Sequence, residues 1–128
     1  MSEVSVQWDD PEETTVRAVI VGRFTWEEFF DAQQQANRLI ETKPYRCDLI
    51  ADLSRGRSAN PAPAIQNARQ VLKTSPQNLG MFVIITSAFA SIVVGAVKRF
   101  DPNMADRVEA TSRLETAREL IARSRERS

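Results

Sequence analysis

The feature that most constrains this chain is a repeated change of hydrophobic period. Runs in which apolar residues alternate or stand together give way, again and again, to stretches in which they recur every three or four positions. The first pattern belongs to strands and the second to one face of a helix. A chain that changes period in this way has few folds open to it.

Val4-Ser5-Val6-Gln7-Trp8 alternates as a strand with one buried face does, and Asp9-Asp10-Pro11 supplies turn residues. Thr15 to Val21 is rich in β-branched residues and loses its alternation at Ala18-Val19-Ile20-Val21, which predicts a strand covered on both faces. The two together predict a hairpin. Thr25 and Glu28 have the spacing of a capping box. Behind them Phe29, Ala32, Ala36, Leu39 and Ile40 build the apolar face of a helix that ends before Pro44.

The same grammar recurs three more times. Cys47 to Leu53 reads as an interior strand, followed by Asn60-Pro61 as N-cap and first-turn proline and by Ile65, Ala68, Val71 and Leu72 as a helical face. Met81 to Ile85 reads as a strand, Thr86 or Ser87 as a cap, and the sequence to about Phe100 as a helix. After the break at Asp101-Pro102-Asn103, Val108 and Ala110 predict an edge strand. Ser112 and Glu115 predict a capping box, and Leu114, Ala117, Leu120 and Ile121 the last buried helical face.

The predicted order is ββαβαβαβα. Residues 1–128 should form a single α/β domain in which an N-terminal β-hairpin leads into βαβαβα units. Right-handed crossovers then give a mixed, largely parallel sheet of about five strands packed with four helices. Residues 123–128, rich in arginine, are expected to fray.

Composition removes several function classes. Seventeen Lys and Arg balance seventeen Asp and Glu, so no net field draws the chain to nucleic acid, and no nucleic-acid partner is expected. The apolar stretch from Met81 to Val97 is interrupted by Thr86, Ser87, Ser91 and Gly95 and is shorter than the roughly 20 residues of a membrane span. There is no histidine and one cysteine, Cys47. The usual zinc and haem ligands and the usual base near neutral pH are therefore missing, which excludes transition-metal sites and His-dependent triads. Carboxylate chemistry with magnesium stays open, since that metal uses oxygen ligands, but no metal site and no cofactor are expected. Met1-Ser2-Glu3-Val4 lacks the basic and apolar regions of a signal peptide, which makes the cytoplasm the expected compartment.

The element order and the segment Leu49-Ile50-Ala51-Asp52-Leu53-Ser54 resemble the STAS family, the SpoIIAA-like fold of bacterial anti-sigma-factor antagonists. In that family a strand ending in an Asp-Leu-Ser type sequence runs into a loop before the second helix. The resemblance implies a regulatory module that acts by binding a protein partner. It also implies a phosphorylated serine, in an Asp-Ser-Ser-Gly type motif, at the start of that helix. Ala59-Asn60-Pro61-Ala62 stands there instead, with neither the aspartate nor a hydroxyl, so the phosphoswitch is not expected; Ser58 is the nearest displaced acceptor. Some STAS-like proteins without the switch resemble lipid-binding domains of the CRAL-TRIO type.

Two candidate sites follow. The first is a partner- or anion-binding loop, Asp52, Ser54, Arg55, Arg57, Ser58 and Asn60, at the C-terminal end of an interior strand, where open α/β sheets receive ligands. An ordinary solvated crossover loop is the plain alternative, and the loop fits no phosphate-binding fingerprint. Asp48 and Asp52 should lie on one side of their strand but about 13 Å apart, too far to share a proton or a metal. The second candidate is a self-association surface, Phe89, Ile92, Val93, Val94 and Val97, on a helix apolar around most of its circumference. Phe24, Trp26, Phe29, Phe30 and Trp8 are expected in the core, or else lining an apolar pocket, and Cys47 is expected to be an inert core thiol.

Three functions remain in order. A non-catalytic interaction module, self-associating as a homodimer, comes first. A carrier of a lipid or anionic metabolite comes second, and an enzyme with no nameable constellation third.

Overall fold

The structure is a computed structural model that describes residues 2–58, 64–86, 95, 98, 99, 102 and 106–127. Its elements run β1 (Glu3–Trp8), β2 (Thr15–Phe24), α1 (Trp26–Glu41), β3 (Cys47–Asp52), β4 (Gly56–Ser58), α2 (Ala64–Lys73), β5 (Leu79–Ile85), β6 (Val108–Thr111) and α3 (Leu114–Glu126). The opening hairpin pairs β1 antiparallel with β2 from Glu3 opposite Val21 to Trp8 opposite Val16. Every other pairing is parallel, in the order β1-β2-β3-β5-β6.

The hairpin turn is built on Asp10. Its carboxylate accepts the N–H groups of Thr14 and Thr15, each at 2.9 Å, and the Thr14 hydroxyl. Partial burial pushes the Asp10 carboxyl up, but the Thr14 and Thr15 hydrogen bonds outweigh it and hold the group below its ordinary range. Thr25 caps α1 as expected: its hydroxyl accepts the Glu28 N–H at 3.2 Å, and the Glu28 carboxylate accepts the Thr25 N–H at 3.1 Å.

The contiguous apolar runs of β3 and β5 are explained by a sheet covered on both faces. Leu49, Ala51 and Phe82 join Val16, Ile20 and Phe24 against Phe29, Ala32, Ala36 and Ile40 of α1 and Val71 of α2. Ile50, Met81, Val83 and Ile85 pack the other way, against Ala117 and Ile121 of α3. Each fully buried aliphatic side chain in these clusters contributes about 1.5–3 kcal/mol. Helix ends are tied to the opposite helix or to the next strand. Asn78 donates to Ile40 O and Lys43 O beyond the end of α1, and Gln33 and Asn37 of α1 donate to Val71 O and Thr74 O at the end of α2.

Several expectations need correction. Among the described residues the sheet has six strands, against about five expected, because Gly56–Ser58, read as loop, pairs with Gly22–Phe24 at the far end of β2. β2 is ten residues long, and β3 accompanies it only as far as Val19; the remainder would leave backbone groups unpaired without β4. Three helices lie among the described residues, against four expected. The helix expected over 88–100 falls largely outside them, although Gly95, Lys98 and Arg99 have helical backbone. Asn60-Pro61 also lies outside. Ser112 does not cap α3: the N-cap is Arg113, with extended backbone and no side-chain cap bond. The sheet sets this limit, since Thr111 still pairs with Ile85 and its carbonyl accepts the Thr86 N–H. Residues 123–126 form the last turn of α3.

Candidate functional site

The passage from β3 to β4 is a tight bulge held at every step. Leu53 N–H donates to Ile85 O at 2.8 Å, and Gly56 N–H donates back to Leu53 O at 3.0 Å. Gly22 N–H of β2 donates to Arg55 O at 2.9 Å. Asp52 accepts the Ser54 N–H at 3.1 Å and the Ser54 hydroxyl at 2.6 Å, an Asx turn that a short polar side chain makes with its own backbone. Gly56 is required by close approach, since a Cβ there would lie 2.6 Å from Ile20 O.

Of the loop residues singled out from the sequence, Asp52, Ser54, Arg55 and Arg57 are brought to this edge. Ser54, Arg55 and Arg57 are exposed and Asp52 is half-buried. The backbone of Ser58 pairs with Phe24, and Asn60 lies outside the described residues, as do Phe89, Ile92, Val93, Val94 and Val97 of the second candidate. Strand pairing, not a loose loop, displays the arginines: Arg57 stands directly beside Arg23 of β2. Arg23 was not singled out from the sequence, because register is a long-range property.

The other end of β3 carries the feature that sequence reading missed most. Asp48 is fully buried. One carboxylate oxygen accepts Arg46 Nη2 at 2.9 Å and the Met81 N–H at 2.7 Å; the other accepts Arg125 Nε at 2.8 Å. Arg125 donates further to Thr14 O at 2.8 Å and Thr15 Oγ1 at 3.0 Å, and Arg46 to Ser124 Oγ at 2.9 Å. A Cβ at Gly80 would collide with the Arg46 guanidinium and the Asp48 carboxylate. The cluster joins β3, β5, the hairpin and α3 and leaves the carboxylate with no free face, so it is a clasp rather than a reaction centre. An aspartate four positions before Asp52 was visible in the sequence; its partner 77 residues away was not.

Nearby, Cys47 is buried, and burial together with the neighbouring Asp48 charge pushes its thiol up. The aromatic residues divide. Phe24 and Phe29 are buried and Trp26 and Phe30 half-buried, with Trp26 and Phe29 edge to face at 5.3 Å between centroids. Trp8 lies elsewhere, under the Lys43 ammonium at 5.3 Å. The apolar crevice between α1 and the sheet, lined by Ala18, Ile20, Phe29, Gln33, Leu49 and Phe82, has a volume of about 10 Å³. That is room for about one water molecule. Among the described residues no group of three Cys, Asp or Glu side chains is placed to hold a metal ion. No helix among them is long and apolar enough to cross a membrane.

No protein-family model matches the sequence, and no curated protein matches it. Among solved structures the chain is similar to an uncharacterized protein of the DUF3478 family from Shewanella loihica PV-4, described as having a SpoIIAA-like fold. The TM-score is 0.58 at 13% identity, over 92% of this chain and 91% of that one. The fold is SpoIIAA-like. The hairpin followed by a largely parallel, helix-covered sheet, predicted from the hydrophobic pattern, is thus found among the described residues. In this SpoIIAA-like domain the segment Asp52-Leu53-Ser54 forms the bulge between β3 and β4.

Proposed function

We propose that this SpoIIAA-like domain is a non-catalytic protein-interaction module that docks a partner on the C-terminal edge of its sheet, from Asp52 to Ser58. The observation that carries the reading is the rigid display of exposed polar side chains there. Ser54, Arg55 and Arg57 stand on a backbone bonded to β2, β3 and β5, so little ordering is needed when a partner docks. A pre-organised surface of this kind binds by complementarity and needs no chemistry of its own. In this reading the domain acts as a regulatory element in the cytoplasm, and residues 89–97 supply a homodimer surface.

Affinity capture from the native host tests the docking edge. Wild type, the double variant Arg55→Glu/Arg57→Glu and the distant control Arg38→Glu would be compared. A protein held by wild type and control, lost with the double variant, and rebinding when purified supports the edge. Equal capture by all three removes it. Size exclusion with light scattering on wild type and Val94→Glu tests the dimer; a monomer in both samples rules it out.

A lipid carrier is less well supported at the described crevice between α1 and the sheet, because its volume of about 10 Å³ accommodates no lipid chain without rearrangement.

A further inference from the structure

We infer that Arg23, Arg55 and Arg57 together form a binding site for a phosphoryl dianion, either free phosphate or the head of a small phosphomonoester. The inference rests on the docking-edge reading above and names what that edge recognises. It starts from the register. In the parallel β2–β4 pair, Arg23 and Arg57 are direct partners, so their side chains leave the same face of the ribbon from backbones about 4.8 Å apart. Both are exposed. Arg55 is fixed beside them, because its carbonyl accepts the N–H of Gly22, the residue before Arg23.

Like charges directly opposite on neighbouring strands destabilise a sheet. Five arginines elsewhere are neutralised: Arg17 and Arg118 meet Asp9, Arg46 and Arg125 meet Asp48, and Arg113 meets Glu115. What sets Arg23 and Arg57 apart is that they stand directly opposite each other in the register. Among the described residues no carboxylate lies within salt-bridge distance of Arg23, Arg55 or Arg57. The acidic residue of the same bulge, Asp52, directs Oδ1 to Ser54. The cost of this crowding is built in. Gly56 lets β4 lie against β2, where a Cβ would meet Ile20 O, and the guanidiniums cannot separate by backbone relaxation without breaking that pairing.

Two guanidinium forks on paired residues of adjacent strands can grip a tetrahedral oxyanion from two sides. A dianion removes the repulsion and gains charge-assisted hydrogen bonds, whereas a monoanion such as chloride offers neither the charge nor the geometry. The position, at the C-terminal ends of parallel strands, is where open α/β sheets bind such ligands.

The test is an amide-resolved NMR titration of the full chain with inorganic phosphate, with phosphoserine and, at matched ionic strength, with chloride. Saturable shifts at Gly22, Arg23, Gly56 and Arg57, reached at millimolar phosphate or phosphoserine and absent with chloride, are the expected result. Saturation by phosphate identifies a free-ion site, and saturation by phosphoserine alone identifies a monoester site. Arg23→Gln and Arg57→Gln should each weaken binding by about tenfold or more. Arg57→Lys, which keeps the charge but not the fork, should fall between wild type and Arg57→Gln. Both positions altered are exposed, and an unchanged amide spectrum away from the edge confirms that the variants fold. Absence of saturation, equal response to chloride, or unchanged affinity in the Arg23→Gln/Arg57→Gln double variant each overturns the site. If partner capture depends on the edge while phosphate does not bind, the docking surface stands and only this inference falls.

Discussion

The two ends of β3 handle charge in opposite ways. At its start Asp48 is buried and held between two guanidiniums and a backbone N–H. Past its end, Arg23, Arg55 and Arg57 are exposed and have no carboxylate among the described residues within ion-pair distance. A charge removed from water must be paired or the fold fails, whereas an exposed charge is tolerated unpaired because solvent screens it. The clasp therefore belongs to stability, and the arginine edge is left free for the recognition proposed above.

The sharpest way to break this contrast is Asp48→Ala. It leaves the buried Met81 N–H and the partly exposed guanidiniums of Arg46 and Arg125 without their shared acceptor, and denaturant unfolding should show a loss of about 3–5 kcal/mol; a loss below about 1 kcal/mol would mean that the clasp contributes little to stability. Arg125→Ala should cost less, about 1–3 kcal/mol, because Arg46 and Met81 still satisfy Asp48. Hydrogen exchange should place the loosened amides in α3 and at Thr14 and Thr15.

Asp10→Asn comes next, at about 1 kcal/mol near neutral pH once screening at this half-exposed turn is allowed for. Its pH dependence has a definite sign. The folded-state value lies below the ordinary carboxylate value, so the stabilisation is present above that ordinary value and is lost as pH falls through the folded one. The gap between wild type and Asp10→Asn should close on acidification below pH of about 4; a gap that widens would contradict the assignment.

At the other end of the scale, Arg57→Gln should change stability by no more than about 0.5 kcal/mol, and in the stabilising direction at low salt, where repulsion from Arg23 is least screened. The gain should vanish at high salt. A destabilisation that persists at high salt would show that the edge serves the fold after all.

Much of the fold was legible because its signals are local. The Thr25 and Glu28 capping box formed as its spacing required, and the contiguous apolar run of β3 did mark an interior strand. Failures occurred where a neighbour in space outranked a neighbour in sequence. Ser112 has the right spacing to Glu115, yet pairing of Thr111 with Ile85 holds the strand one residue too long for it to cap. Arg55 and Arg57 were found as loop residues, while Arg23, their partner, lay inside a strand pattern and carried no local mark.

The sequence by itself determined the periods, the strand-then-helix order and the hairpin, because propensity, capping and alternation act over a few residues. Tertiary structure alone decided that β4 would continue the sheet beside β2, that Arg125 would reach Asp48, and that Arg23 would stand against Arg57. Those outcomes depend on register and crossover geometry. Both are set by how two-faced burial closes the whole sheet, and no short stretch of residues encodes them.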